Sequence, residues 1–439
     1  MILSIRTLKL RIRLLILAFV LLVINERSFA EPITSINQKN ILEDLIVQAV
    51  SNYPSVKSRK ILLDASRTDL LASKLKFLPT FSITAAESNL SNSSTNASSA
   101  NSYNTLTLSL PLYSGGATIA GYQKAQSQLT SADYALRETK DDVAKKVIIS
   151  YSEWYKAYLK LKILDQTDKD YLRLLELITH RYDSGVSSKS EVDLAKSRIN
   201  QNKVEIKAQR QATLNAISTL GQLVGEGRLD VGTLDKSIPF YADLPLREIV
   251  LNYVLDNNPT IKRLESDTLA ADADAKIARA QSLPQLVFQA QQQSGNPYVT
   301  NAPGISSYGL VLQYSTDSGF ASIATSQSAF KRAQSTLETV ETTKREVIQM
   351  LHNEYNDYEY TRSKLIDLEE VDNLGIGLSE SYSRQYLAGK KSWMDVMNII
   401  REKTQNKAVL ADAQANLIAS SWKIFIYMNG LDVLEAKYE

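Results

Sequence analysis

The 439-residue sequence contains no cysteine. Disulfides, thiolate metal sites and a lipid-modified N-terminal Cys are therefore excluded. Histidine is almost missing as well. Only His180 and His352 occur, each inside a strongly helical run, so a His-based metal cluster or a Ser-His-Asp triad has almost nothing to draw on. No nucleophile–base pairing, phosphate loop or metal-ligand spacing is present, and the sequence implies no enzyme, no cofactor and no metal. Proline (10) and glycine (16) are sparse, and neither occurs from Tyr122 to Ser184, Val186 to Leu220, Phe320 to Leu374 or Lys390 to Asn429. Inside a helix Pro costs about 3 kcal/mol and Gly about 1, so these runs read as helices. One of about 65 residues would extend roughly 100 Å, far beyond a globular diameter. Gly375 and Gly377, just after Leu374, interrupt the second copy of this long run alone and predict a local kink. After residue 30 no stretch of about 18 apolar residues exists, so no transmembrane helix is expected.

Residues 1–30 read as a signal peptide. Arg6, Lys9, Arg11 and Arg13 precede an apolar core from Leu14 to Ile24, which is shorter than the roughly 20 residues a spanning helix needs. Ser28-Phe29-Ala30 then offers small residues where a signal peptidase reads; a membrane anchor is the alternative. The formal net charge is +2, but the leader carries five basic residues and one acid, which leaves −2 for the rest. The slight basicity belongs to export and gives no case for nucleic acid. An exported chain without a transmembrane helix is either soluble or a β-barrel.

An internal repeat organises the remainder of the chain. Asn52-Tyr53-Pro54 recurs as Asn257-Asn258-Pro259, Leu78-Pro79 as Leu283-Pro284, and Gly225 as Gly430. This divides the chain into a first repeat (31–225), a Gly- and Pro-containing linker (226–244), a second repeat (245–430) and a tail (431–439). Each repeat reads as two short helices (41–53 and 55–77; 245–257 and 260–282), two alternating segments, and two long helical stretches. HRYDSGVSSKSEVDL (180–194) and RQYLAGKKSWMDVMN (384–398) join the long stretches, with Tyr182 matching Tyr386, Gly185 matching Gly389, Ser188 matching Ser392, and Glu191-Val192 matching Asp395-Val396. In 151–166 apolar residues fall at i, i+3, i+4 and i+7, a narrow seam of coiled-coil type. A periplasmic coiled-coil adaptor without a pore is one reading of such helices.

The alternating segments argue for another. In 103–114, Leu106, Leu108, Leu110 and Leu112 face one way; in 306–315, Tyr308, Leu310, Leu312 and Tyr314 do. Segments 80–87 and 285–292 alternate more weakly. Period-two segments of about ten residues with terminal aromatics suit lipid-facing barrel strands. The Ser/Asn-rich stretch 88–104 and the turn-rich 294–304 read as external loops. Four strands cannot close a barrel, and open edges in lipid are prohibitively costly. Several chains must then share one barrel; three would give twelve strands.

The signal peptide, the duplication, the Leu-Pro strand entries and the tip motifs RYDSGVSSKSEVDLAKSR and RQYLAGKKSWMDVMNIIRE together resemble the TolC-type outer membrane efflux family, over nearly the whole mature chain. The resemblance implies a mainly α protein with a β-barrel part: duplicated long hairpins forming a trimeric α-barrel, plus a shared 12-stranded transmembrane β-barrel in outer membrane lipid. It implies a homotrimer that works with a periplasmic adaptor (a membrane fusion protein) and an inner membrane ABC or proton-driven transporter. Carried over residue by residue, the family's periplasmic constriction falls on Asp395, Asn398 and the gate tyrosine Tyr386. Asn398 departs from the family's second acid. The gate-linking basic residue falls on Lys391, with Ser190 and Glu191 as partners, and the adaptor-contact tips on Gly185, Val186, Gly389 and Lys390. Three Asp395 carboxylates around a threefold axis would repel, so something else must hold the closed state; Lys391–Glu191 links, each worth about 0–1 kcal/mol if exposed, could do that. The corner LQYSTDSGFASIAT together with SYSRQYLAGKKSWMDVMNIIRE resembles the subfamily that exports large adhesins by type I secretion; multidrug efflux is the alternative.

Overall fold

The computed structural model describes residues 41–92, 97–225, 229, 244–295, 303–315 and 321–431. The expected signal peptide, nearly all of the 226–244 linker and of the tail, and parts of both expected loops lie outside them. The described residues form twelve elements in two matching sets. The first is α1 (Ile41–Asn52), α2 (Pro54–Leu75), β1 (Thr80–Asn92), β2 (Ala97–Tyr113), α3 (Ala117–Asp183) and α4 (Lys189–Val224). The second is α5 (Arg247–Asn257), α6 (Pro259–Ala280), β3 (Gln285–Ser294), β4 (Ile305–Gln313), α7 (Ala321–Leu387) and α8 (Trp393–Asn429).

Local chemistry sets the boundaries. Pro54 and Pro259 open α2 and α6, where the missing N–H is no loss and the fixed φ suits the first turn. Asn258 Oδ1 caps α6, accepting from Thr260 N at 3.0 Å and Ile261 N at 3.2 Å. The breaker-free runs give α3 and α7, each of 67 residues, or roughly 100 Å. α7 continues through Gly375 and Gly377 as helix.

The strands form one antiparallel sheet in the order β1-β2-β3-β4, with β1 and β4 as its edges. Its register sorts the two faces. Phe81, Leu108, Ala290 and Tyr308 share one row; Leu110, Phe288 and Leu310 share the next on the same face. Leu286 and Leu312 make a third row. There the sequence expectation shifts: a bulge between Pro111 and Tyr113 brings Tyr113, not Leu112, opposite Leu286. The opposite face carries Thr80, Ser82, Thr84, Thr105, Thr107, Ser109, Gln289, Gln291 and Ser307, with Val287, Ile305 and Val311 among them. Phe81 (73% exposed), Tyr308 (84%) and Leu312 (70%) have nothing over them within the chain.

One expectation is corrected. Most of the Ser/Asn-rich stretch is strand rather than loop, with β1 and β2 paired out to Asn92↔Ala97. An antiparallel ladder is held by backbone hydrogen bonds, so a hairpin projecting from a sheet needs no apolar side chains to continue.

Apolar packing forms three clusters, the first two at one level along the long helices, since both draw on interleaved residues of α8 (Ile418 and Trp422; Leu417 and Ile424). Near α1, Trp154 and Trp422 are buried with Tyr151, Ile148, Leu220 and Ile46. Trp154 stacks on Tyr158 with centroids 5.4 Å apart. Each Trp buries about 200 Å², worth on the order of 5 kcal/mol at about 25 cal/mol per Å². A second cluster, with Leu351, Tyr355, Ile261 and Leu417, joins α5, α6, α7 and α8. The third lies at the hairpin tips.

Candidate gate at the hairpin tips

Both reversals are built the same way. Gly185 has φ +73° and Gly389 φ +72°, a left-handed conformation that favours glycine at a helix end. Val186 N donates to Arg181 O at 2.8 Å and Gly185 N to Tyr182 O at 2.9 Å. The second tip repeats this with Lys390 N to Gln385 O at 2.9 Å and Gly389 N to Tyr386 O at 3.0 Å. These are the paired 6→1 and 5→2 bonds that satisfy the last carbonyls of a helix. Gly185, Val186, Gly389 and Lys390 all stand exposed.

The acids expected at the gate begin the next helices. Ser188 caps α4 with Glu191 in a reciprocal box, its N donating to Glu191 Oε2 at 3.2 Å. Ser190 Oγ lies 2.9 Å from Ser188 Oγ. Ser392 caps α8 likewise: its N and Oγ donate to Asp395 Oδ2 at 3.0 and 2.8 Å, and its Oγ accepts from Asp395 N at 3.2 Å. The Ser392 hydroxyl, then its backbone N–H, then the Lys391 charge outweigh slight desolvation and hold the Asp395 carboxyl below its usual range. A carboxylate at the positive end of a helix is also favoured by the dipole. The acid-Val pair of each motif therefore starts a helix, whatever else it does. Asn398, one turn on, is exposed and shares the side of Asp395.

Tyr386 is 4% exposed, whereas its repeat counterpart Tyr182 is 41% exposed. Burial raises the Tyr386 pKa, and the Arg181 charge partly opposes this. Arg181 Cζ lies 5.1 Å from the Tyr386 ring centroid, and Arg181 Nη1 donates to Tyr386 O at 3.5 Å. Tyr386 packs with Ile178, Val192, Trp393, Val396 and Met397, so both hairpins meet in one apolar cluster. Lys391 is not brought to Glu191 or Ser190 within the chain. Its Nζ sits 4.5 Å from the Tyr382 ring centroid, a cation–π contact.

Above the cluster, polar contacts tie α8 to α3. Lys403 Nζ lies 2.7 Å from Asp170 Oδ2, both side chains 16% exposed. Thr167 and Thr404 hydroxyls lie 2.7 Å apart, and Lys160 meets Asp412 at 2.8 Å. Beside the first pair, Arg173, Ser379, Arg384 and Ile400 line a groove of about 450 Å³. Sequence reasoning found none of Asp170, Lys403, Arg181 or Tyr382. The tip motifs pointed at the turns. At the repeat offset Asp170 and Lys403 correspond to Leu374 and Ile199, so duplication carried no trace of the pair.

No curated protein matches the sequence. Among solved structures, the outer-membrane channel OprN is similar with a TM-score of 0.79 at 17% identity, over 89% of this chain and 90% of that one. The outer membrane protein VceC of Vibrio cholerae gives 0.76 at 17%, over 89% and 96%. The open state of the MtrE outer membrane channel of Neisseria gonorrhoeae gives 0.70 at 16%, over 92% and 96%. These likenesses show a shared fold. The sequence profile of the outer membrane efflux proteins matches twice, at residues 45–226 and 250–427, once on each repeat, and the chain belongs to the outer membrane efflux protein family.

Proposed function

We propose that three copies of this chain form an exit channel through the outer membrane. The carrying observation is the sheet: four strands, one apolar face exposed to nothing within the chain, and two unpaired edges. No such sheet can stand alone in lipid. Three copies supply twelve strands, with the Phe81, Leu108, Leu310 and Leu312 face toward lipid and the Ser, Thr and Gln face toward the pore. The long helices continue the wall about 100 Å into the periplasm, and the tips close its far end. In this reading Asp395 and Asn398 line the constriction around the buried Tyr386, and Lys391 reaches Glu191 and Ser190 of a neighbouring copy. The exposed turns at Gly185-Val186 and Gly389-Lys390 meet a periplasmic adaptor, which couples the channel to an inner membrane transporter.

For cargo, the tip stretch SYSRQYLAGKKSWMDVMNIIRE favours polypeptide export, with a large adhesin as substrate; the corner LQYSTDSGFASIAT that supports it falls partly outside the described residues. The pore-side rows of the strands carry hydroxyls and amides with the aliphatic Val287, Ile305 and Val311 among them, and no charge among their described residues, a lining that admits segments of either sign. Small-molecule efflux is favoured instead by the family description. Two measurements test this. Purified protein in planar bilayers should give discrete conductance steps, and an oligomer of three should be seen by native mass spectrometry; a monomeric pool soluble without detergent would sink the channel. Deleting the gene should remove a surface adhesin and leave drug sensitivity unchanged; the opposite pattern assigns small molecules.

A further inference from the structure

Charge is sorted along this chain. Residues 80–113 and 285–313, which hold the strands, carry one acid, Glu87, and no cation. The segments on the helical side of the sheet, 70–79, 114–124, 275–284 and 314–331, carry six cations: Lys74, Lys76, Lys124, Lys276, Arg279 and Lys331. They carry one acid, Asp317, which lies outside the described residues. A chain of nearly zero net charge thus places a basic collar directly below its apolar sheet face. Two members are paired, Lys124 with Asp274 at 2.8 Å and Lys276 with Asp272 at 2.9 Å. Lys74, Lys76, Arg279 and Lys331 meet no carboxylate among the described residues.

Part of the collar lines a groove. Lys344 Nζ lies 3.9 Å from Glu265 Oε1. α6 leads into the sheet and α7 away from it, so fourteen residues on along each helix Arg279 and Phe330 come level. There α6 and α7 bound a groove of about 640 Å³. Its lining includes three cations, Lys276, Arg279 and Lys331, and three apolar side chains, Ala275, Ala324 and Phe330. Phe330 is 53% exposed. Ile261, in one cluster with Val250 and Val254 of α5, stands 14 residues before Ala275 and 18 before Arg279, spacings that keep one face of a helix. The groove therefore opens on the side where α5 lies. In the proposed channel this is the outer side, because a helix laid on the inner wall would obstruct the bore.

We infer that this groove holds an anionic glycerophospholipid of the periplasm-facing leaflet, its phosphate on Arg279 and Lys331 and its acyl chain along Phe330 toward the sheet. The Arg279 guanidinium is a planar fork that matches phosphate oxygens. Phe330 and the two alanines cover methylenes. Basic pockets at the level of the headgroups select anionic lipids. A free anion would engage the cations and leave Phe330 bare. The lipid site rests on the outer membrane channel proposed above.

Native mass spectrometry tests it on the detergent-solubilised protein, offered equal amounts of phosphatidylglycerol and phosphatidylcholine with the same acyl chains. Phosphatidylglycerol adducts should exceed phosphatidylcholine adducts by roughly fivefold for each engaged cation. Arg279→Gln with Lys331→Gln should abolish the excess. Lys203→Gln with Lys207→Gln removes the same charge from exposed positions of α4, which does not border the groove, and should keep it. Phe330→Ser should lower the adducts of both lipids. Excess inorganic phosphate should displace neither. Equal adducts of the two lipids on the unmodified chain overturn the site, as does an excess that survives Arg279→Gln with Lys331→Gln. Displacement by phosphate also overturns it and assigns a free anion instead. Where the same sample still gives conductance steps in planar bilayers, the channel stands without the lipid site. An unmodified chain that is monomeric and soluble without detergent removes both.

Discussion

Replacing Lys403 by Met should loosen α8 from α3. The Lys403–Asp170 pair is short, at 2.7 Å, and each side chain keeps 16% exposure. A charge-assisted hydrogen bond contributes about 1.5–3 kcal/mol, and stranding one partner of a fully buried pair costs about 3–5. Residual water contact moves the cost toward the lower range. We therefore expect about 2 kcal/mol, equivalent to roughly 30-fold at 1.4 kcal/mol per decade. Amide hydrogen exchange reads this directly: amides of 393–403 should exchange roughly 30-fold faster if they open locally. Asp170→Leu should act similarly. The double variant should cost much less than the two singles summed, because an apolar pair leaves no unpaired charge. Additive effects in the double variant, or unchanged exchange in Lys403→Met, would refute the pair as the tie between hairpins.

Other outcomes are equally specific. Lys391→Glu should raise single-channel conductance if Lys391 links neighbouring hairpins; unchanged conductance removes that assignment. Asp395→Asn, which keeps a cap acceptor and removes the charge, should also raise conductance and weaken cation preference, whereas Asp395→Ala mixes this with loss of the helix cap. Asp395 is held below its usual range, so its contribution is complete above the unfolded value of about 3.9 and is lost only as pH falls through the lower folded value. Cation preference should thus hold from about pH 8 down to about 4 and fail only below the ordinary carboxylate value of about 3.9; a midpoint near 6 would assign it to another group. Gly389→Ala meets nothing within 4 Å of the added Cβ and should cost only the left-handed backbone strain, about 1–2 kcal/mol, read as a lowered thermal midpoint. Trp422→Ala should cost about 3–5 kcal/mol, far more than any tip substitution.

Much of the fold was legible because its signals are local. Exclusion of Pro and Gly over some sixty residues leaves few alternatives to helix, and a period of two with leucines on one parity leaves few to strand. The Gly-x-x-Ser spacing at each tip wrote both the left-handed turn and the N-cap, so the reversals were visible twice. Legibility ended where backbone bonding overrides composition. The Ser/Asn-rich stretch reads as loop, yet it pairs as strand, and nothing in YNTLTLSLPLYS announced the bulge that exchanges Leu112 for Tyr113.

The sequence by itself determined the elements, their duplication and the turns, since each depends on residues a few positions apart. Only the tertiary structure decided which charges meet. Asp170 finds Lys403 because α3 and α8 lie side by side, not because of any motif. Tyr386 is buried while Tyr182 is exposed because Arg181 and the cluster around Trp393 cover one tip tyrosine and not the other. Asp395, expected as a gate acid, is also bound to Ser392 at its own helix start. Side-chain environments of this kind arise from the approach of segments some 200 residues apart, and a pattern read along one chain does not contain them.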